Sequence, residues 1–356
     1  MVDIEPILRR YDNILSGSSL DNPLSNGKDF KTYAVSNFRG GIGKTTLSLN
    51  IAYKFAKDYR SLFLDMCPQR NFSELLLRDD LLNANPTIHD ALMNKIMGPA
   101  WGLENDPISR RVRDTNSIFD SDTKISHIIP GSDQLFLFPN NLYTQLNQYY
   151  SLSSDSGKNK NGISTILQSL NDIISEETQD LKSEKVLMDT SPFFGGGTHL
   201  AWMAADALII PVRVDEQSLL ALELTLSMLS DDNKDYNIWR NRAGIIKKTK
   251  VQAIAITHCG WNRQSKHQID STSKVFIEKA LEIAEKYKSV FSTDEPIDHF
   301  AVLSDFQGSG KISGKFGIPM EKLEKKSYTI DGKRLKVNNS VDRYKKEIDY
   351  LYDLIN

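Results

Sequence analysis

The sequence predicts an α/β fold: a mainly parallel twisted sheet with helices on both faces. Three observations lead there. Short apolar, β-branched or aromatic runs alternate with helical patterns, which is the rhythm of βαβ units. Continuous apolar runs such as Ala207-Leu208-Ile209-Ile210-Pro211-Val212 suit strands buried on both faces. A glycine-rich turn, Arg39-Gly40-Gly41-Ile42-Gly43-Lys44-Thr45-Thr46, joins the first apolar run to the first long helical pattern.

In chain order, Asp3 to Leu15 reads as a short amphipathic helix and Ser16 to Gly27 as a connector rich in turn residues. Residues 1–30 are therefore assigned to an N-terminal helix and linker. Residues 31–356 are assigned to a single domain with insertions near 83–132 and 230–250. Strands are expected at Thr32–Ser36, Ser61–Asp65, Leu135–Phe138, Val186–Asp189, Ala207–Val212 and Val251–Thr257. Helices are expected at Thr45–Lys57, Ile163–Ser175, Thr198–Ala205, Leu219–Leu229, Ser273–Lys286 and Val341–Ile355. The almost wholly polar stretch from Ser151 to Gly162 reads as a mobile surface loop.

Composition narrows the class. A chain of 356 residues suffices for one large domain, and its 40% apolar and 25% charged content is that of a soluble globular protein. No apolar run approaches the ~20 residues that span a bilayer, so no membrane partner is expected. The start, Met1-Val2-Asp3-Ile4-Glu5-Pro6, lacks the basic-then-apolar order of a secretory signal. Two cysteines without a CxxC motif point to a reducing cytoplasm. The 44 basic and 46 acidic side chains exclude a globally basic nucleic-acid binder and leave a local basic face open.

Strand, glycine-rich turn, Lys-Thr and helix together form a cradle for the phosphates of a nucleoside triphosphate. Glycines let backbone N–H groups crowd around phosphate oxygens, and the positive end of the helix dipole favours their charge. Gly40, Gly41, Ile42, Gly43, Lys44, Thr45 and Thr46 are the expected binding residues. Lys44 would reach the β- and γ-phosphates, and the Thr45 hydroxyl would hold Mg²⁺. The ordinary loop has a glycine five residues before Gly43, where this chain has Phe38, and it has no counterpart of Arg39.

Two strand ends carry carboxylates: Asp65 in Leu62-Phe63-Leu64-Asp65, and Asp189 in Val186-Leu187-Met188-Asp189. Ligands bind beyond the carboxyl ends of strands in open α/β sheets, so both aspartates are candidate Mg²⁺ ligands beside Thr45. The alternative for each is a turn cap.

Taken together, these residues resemble the ParA/MinD family of deviant Walker ATPases. The family's Lys-Gly-Gly-x-Gly-Lys-Thr-Thr is matched by Arg39 to Thr46. Its Asp-x-Asp-Pro-Gln is matched by Asp65-Met66-Cys67-Pro68-Gln69, and its Asp-Thr-Pro-Pro by Asp189-Thr190-Ser191-Pro192. The block from Ala201 to Val212 and the late glycine-rich turn from Phe306 to Ile312 are similar too, so the likeness runs from Thr32 to Lys322.

The resemblance implies a cytoplasmic, nucleoid-associated partition ATPase with ATP and Mg²⁺ as cofactors. It would form a homodimer on binding ATP, bind DNA non-specifically, and be stimulated by a ParB-like partner. Arg39, Lys44 and Asp65 are the expected catalytic residues. Arg39 would reach across the dimer to the partner's phosphates; otherwise it is a solvated arginine. Cys67 stands where the family has a second aspartate that places the attacking water, which implies slow hydrolysis. It also leaves open a nucleotide-gated scaffold that barely turns over. Phe193-Phe194-Gly195-Gly196-Gly197 is either a γ-phosphate-sensing switch or a flexible turn. Candidate DNA contacts are Arg240, Arg242, Lys247, Lys248, Lys250, Arg263, Lys266, Lys274, Lys311 and Lys315, unless these are only solvated charges.

Overall fold

Burial in the strands follows from their composition. Every residue of the runs at Thr32–Val35, Ser61–Met66 and Lys185–Thr190 is buried, which requires cover on both faces. The computed structural model describes residues 2–18, 30–98, 107–120, 122–151, 156–261 and 268–356. In chain order these contain α1 (Glu5–Ser16), β1 (Thr32–Val35), α2 (Lys44–Asp58), β2 (Ser61–Met66), α3 (Asn71–Leu77), α4 (Ile88–Met97), β3 (Arg110–Arg111) and β4 (Ser126–Ile129). Then come α5 (Phe138–Ser151), α6 (Ser156–Leu181), β5 (Lys185–Thr190), α7 (Gly196–Ala204), β6 (Ala207–Arg213), α8 (Glu216–Ser230) and α9 (Asp235–Ala243). The last third holds β7 (Lys250–Cys259), α10 (Ser271–Lys286), β8 (Phe300–Ser304), α11 (Gln307–Phe316), β9 (Ser327–Ile330), β10 (Lys333–Lys336) and α12 (Val341–Ile355).

Eight strands form one sheet in the order β3-β4-β2-β5-β1-β6-β7-β8, all parallel except the short β3–β4 pair. The period of two along each strand divides the core. Tyr33 and Val35 of β1 and Leu187 of β5 pack with α2, α3 and α12. Ala34, Val186 and Met188 pack on the opposite face with α4 to α10. β1 lies between β5 and β6, so the loop after β1 emerges near the centre of the sheet's carboxyl edge, beside the ends of β5 and β6, with β2 one strand beyond β5. That edge is where an open α/β sheet binds ligands.

The first and last helices meet. The Tyr11 hydroxyl donates to Glu347 Oε1, which also accepts from Ser304 Oγ at 2.5 Å, while Glu347 Oε2 accepts from the Ser304 N–H at 2.8 Å. Lys346 donates to the Leu15 carbonyl at 2.9 Å, and the Arg343 guanidinium lies 4.0 Å over the Trp261 ring. The expected linker after α1 lies mostly outside the described residues.

Several expectations are corrected. Leu135–Phe138 is not a strand: Ser132 Oγ accepts from the Gln134 N–H and starts a 3₁₀ turn that runs into α5, where Pro139 sits in the first turn. The polar run to Gly162 is not a loop beyond residue 155. It is the first two turns of α6, extended from the apolar positions Ile163, Ile166, Leu167 and Leu170 because propagating an existing helix is easier than starting one. The expected insertion near 230–250 is not among these corrections; it contains α9, whose Trp239 and Tyr236 are buried. The late glycine-rich segment is the helix α11 rather than a turn.

Candidate nucleotide-binding site

The loop between β1 and α2 depends on its glycines at two places. Gly41 has φ +71° and Gly43 has φ +89°, the left-handed region in which a Cβ is strained. Gly43 is also the N-cap of α2, with no side chain on the first N–H groups, so those donors face the loop unpaired by a cap. Ile42 is fully buried, and its carbonyl accepts from Thr257 Oγ1 at 3.3 Å, which pins the loop to β7. A cleft of about 710 Å³ opens here, lined by Gly40 to Leu47, Cys67, Gln69, Pro192, Thr257, His258 and residues 303–308.

Lys44, largely buried, donates to the Arg39 carbonyl at 2.6 Å, and burial lowers its pKa against the pull of Asp189. Asp189 is the focus of the site. Its Oδ2 accepts from Thr45 Oγ1 at 2.8 Å and its Oδ1 from Ser48 Oγ at 2.7 Å. Burial, helped by the negative charge of Asp65, raises its pKa to about 7. The lysine, the hydroxyl and the carboxylate that the sequence placed at one site therefore do come together. Ser48 was not foreseen, although its position one helical turn after Thr45 puts the two hydroxyls on one face.

Asp65 is adjacent to Asp189 in the sheet register, but its carboxylate serves its own turn. Oδ1 accepts from the Cys67 N–H at 3.0 Å, and Oδ2 from the Ser73 N–H and Oγ, both at 2.8 Å. This is the capping alternative rather than a position facing the loop hydroxyl. Gly131 completes it: a Cβ there would fall 3.0 Å from the Asp65 carboxyl carbon. Burial raises the Asp65 pKa to about 6. Cys67 lines the cleft with its thiol pushed up to about 12 by burial and then by Asp65, so it is neutral.

Arg39 points along the surface of its own chain. Its guanidinium pairs with Asp215 at 3.2 Å and donates to Gln217 at 2.7 Å, at the N-terminus of α8. Phe38 has a clear packing role: it stacks on Trp202 at 5.5 Å and meets Phe194 edge-on at 6.1 Å, while the Trp202 indole N–H donates to Ser36 Oγ at 2.8 Å. The aromatic in place of glycine thus joins the loop to the segment after β5. Within that segment, Gly196 and Gly197 begin α7, and Phe193 is partly exposed.

Several of the expected DNA-contact residues have partners within the chain. Arg240 is buried and bonded to Asn237, Asn241 and the Ile245 carbonyl. Arg242 lies 4.0 Å over Tyr150, Lys247 pairs with Asp206 at 2.7 Å, and Lys250 donates to the Ser289 carbonyl. Lys248 is exposed and Lys274 half-buried, whereas Lys311 and Lys315 lie on α11. Arg263 and Lys266 lie outside the described residues. No described helix is long and apolar enough to cross a membrane.

Residues 30–238, more than half of the chain, match the family described as an AAA domain. A candidate replication protein A of Sinorhizobium fredii is 26% identical over 204 residues, covering 57% of this chain and 44% of that protein. The chromosome partitioning protein ParA of Myxococcus xanthus is 24% identical over 249 residues, covering 69% of this chain and 71% of that protein. The chain spans about half the length of the replication proteins it matches. Among solved structures, apo McdA from Cyanothece superposes with a TM-score of 0.61 at 15% identity, covering 92% of this chain and 99% of that one. With the loop, the central β1 and the mainly parallel sheet in place, the chain belongs to the AAA domain family, as a P-loop NTPase of the ParA/MinD type.

Proposed function

We propose that the chain is a ParA-like partition ATPase, a cytoplasmic switch that dimerises around ATP and Mg²⁺ and binds DNA non-specifically. Hydrolysis, stimulated by a ParB-like protein, returns it to the unbound form during plasmid or chromosome segregation. The observation that carries the reading is the buried Asp189 carboxylate, held by Thr45 and Ser48 directly beneath a lysine-bearing glycine loop.

Lys44 neutralises the β- and γ-phosphates, and the N–H groups of Gly40 to Thr46 cradle their oxygens. Mg²⁺ suits the hard oxygen donors of Thr45 and Asp189, and when bound it would neutralise phosphate charge. Asp65 positions the turn that carries Cys67. Arg39 reaches a partner's phosphate once it leaves Asp215 and Gln217, and its planar fork suits that contact.

Isothermal calorimetry of the Lys44→Ala variant tests the core of the proposal: ATP affinity should fall sharply, and unchanged affinity would remove it. A second reading, a nucleotide-gated scaffold with little turnover, is favoured by Cys67. A neutral thiol is a weak hydrogen-bond acceptor and orients water poorly. Turnover measured with and without DNA separates the two.

A further inference from the structure

We infer that the β9–β10 hairpin is the element that grips the sugar–phosphate backbone of duplex DNA; this rests on the DNA-binding reading above. Asp331 at φ +47° and Gly332 at φ +75° form the tight turn, and the ladder pairs Arg334 with Thr329 and Lys336 with Ser327. Opposed residues share a face, so one side of the ribbon presents Arg334, Lys336, Thr329 and Ser327. The other side carries Lys333 at the turn end, opposite Ile330, together with Tyr328 and Leu335; the three apolar residues pack on a small core with Phe316 and Ile312 of α11. The outward face is thus cations and hydroxyls without a carboxylate or a large apolar side chain. Such groups make the contacts to phosphate and sugar that position a protein on a duplex. A lipid surface would find nothing apolar on this face to insert.

The charges are available. Lys325 and Lys326 are paired with Asp342 and Glu324, at 2.5 and 2.7 Å. Among the described residues, no ion pair reaches the exposed Arg334 or Lys336. The turn residue Asp331 lies 4.0 Å from Lys315.

The hairpin is also tied to the nucleotide cleft. The Asn338 N–H that follows β10 donates to Ser309 Oγ at 2.9 Å, and its side-chain amide donates to Gln307 Oε1 at 3.3 Å. Gln307 and its neighbour Gly308 line the cleft. A nucleotide that moves the start of α11 therefore moves the ribbon.

The test uses the full chain with Mg²⁺, a non-hydrolysable ATP analogue and a fluorescent random-sequence duplex, titrated across a salt series. Each lost phosphate contact lowers the slope of log K against log salt by ~0.9. The double variant Arg334→Ala/Lys336→Ala should therefore lower the slope by roughly 1.8 and weaken binding about tenfold to a hundredfold near 0.15 M salt. ATP-analogue affinity should stay unchanged. The charge-keeping double variant Arg334→Lys/Lys336→Arg should bind DNA as the unaltered protein does. If the alanine variant keeps the wild-type affinity and slope, the hairpin assignment fails while the DNA reading stands. Loss of binding in the charge-keeping variant also overturns the assignment. An unaltered protein that binds no duplex overturns the hairpin and the DNA reading together.

Discussion

Replacing Glu347 by glutamine should flatten the dependence of stability on pH. The carboxylate is fully buried, and burial raises its pKa from 4.5 to about 7, against the opposing bonds from Ser304 and Tyr11. A group whose folded pKa is raised binds its proton more tightly in the folded state. Its stabilisation is complete below pH 4.5 and is lost as pH rises through 7. A span of 2.5 units at 1.36 kcal/mol each amounts to roughly 3 kcal/mol. Glutamine does not titrate, and the site can accept it. The hydroxyls of Tyr11 and Ser304 both meet Oε1 and can rotate to accept from an amide NH₂, leaving the amide oxygen for the Ser304 N–H. Urea unfolding of both proteins at pH 4.5, 6, 7 and 8 gives the difference directly, and Asp65 and Asp189 cancel in it. The wild-type advantage should shrink by about 3 kcal/mol from the lowest pH to the highest. Parallel curves would show that Glu347 does not titrate out of its ordinary range.

Three further outcomes are expected. Ser48→Ala removes one of the two hydroxyls on Asp189 and should weaken Mg²⁺-dependent ATP binding about tenfold, on the scale of one charge-assisted bond, without altering binding in EDTA; calorimetry with and without Mg²⁺ checks this. Cys67→Asp should raise ATP turnover tenfold or more if water placement limits hydrolysis, since positioned bases contribute ~10²–10⁴, and a phosphate-release assay with no increase would locate the limit elsewhere. Gly43→Ala places a Cβ at φ +89° and should cost about 1–2 kcal/mol of stability, read as a lower midpoint in urea, together with loss of ATP binding.

What was legible in the chain was local. The loop from Gly40 to Thr46 and the strand end at Asp189 are contiguous signals, and the fold brings them together at hydrogen-bond distance. Gln217, which accepts from Arg39, lies 178 residues away in sequence beside its other partner Asp215, and no local pattern announces either. Asp65 carried the same strand-end signature as Asp189. Only the position of Ser73, on the helix that follows, decided which way the carboxylate turned. Strand β8 was missed because a short apolar run reads equally as strand or buried helix. The hairpin was missed despite its Asp-Gly turn, because its strands are polar on one face and rich in lysine. The glycines of α11 read as a turn, but packing of Ile312 against Val341 and Tyr344 keeps the segment helical.

The contact between the first and last helices has a consequence for how the chain is made. Tyr11 and Glu347 are 336 residues apart, so α1 leaves the ribosome long before the side chain it bonds exists. At ~5–20 residues per second the delay is roughly 17–67 s. Throughout it, Ile7, Tyr11 and Ile14, all buried in the finished protein, have no partner helix to cover them. Synthesis of α12 therefore completes the cover that β8 and Trp261 begin over α1, and until then part of its apolar side is open to chaperones.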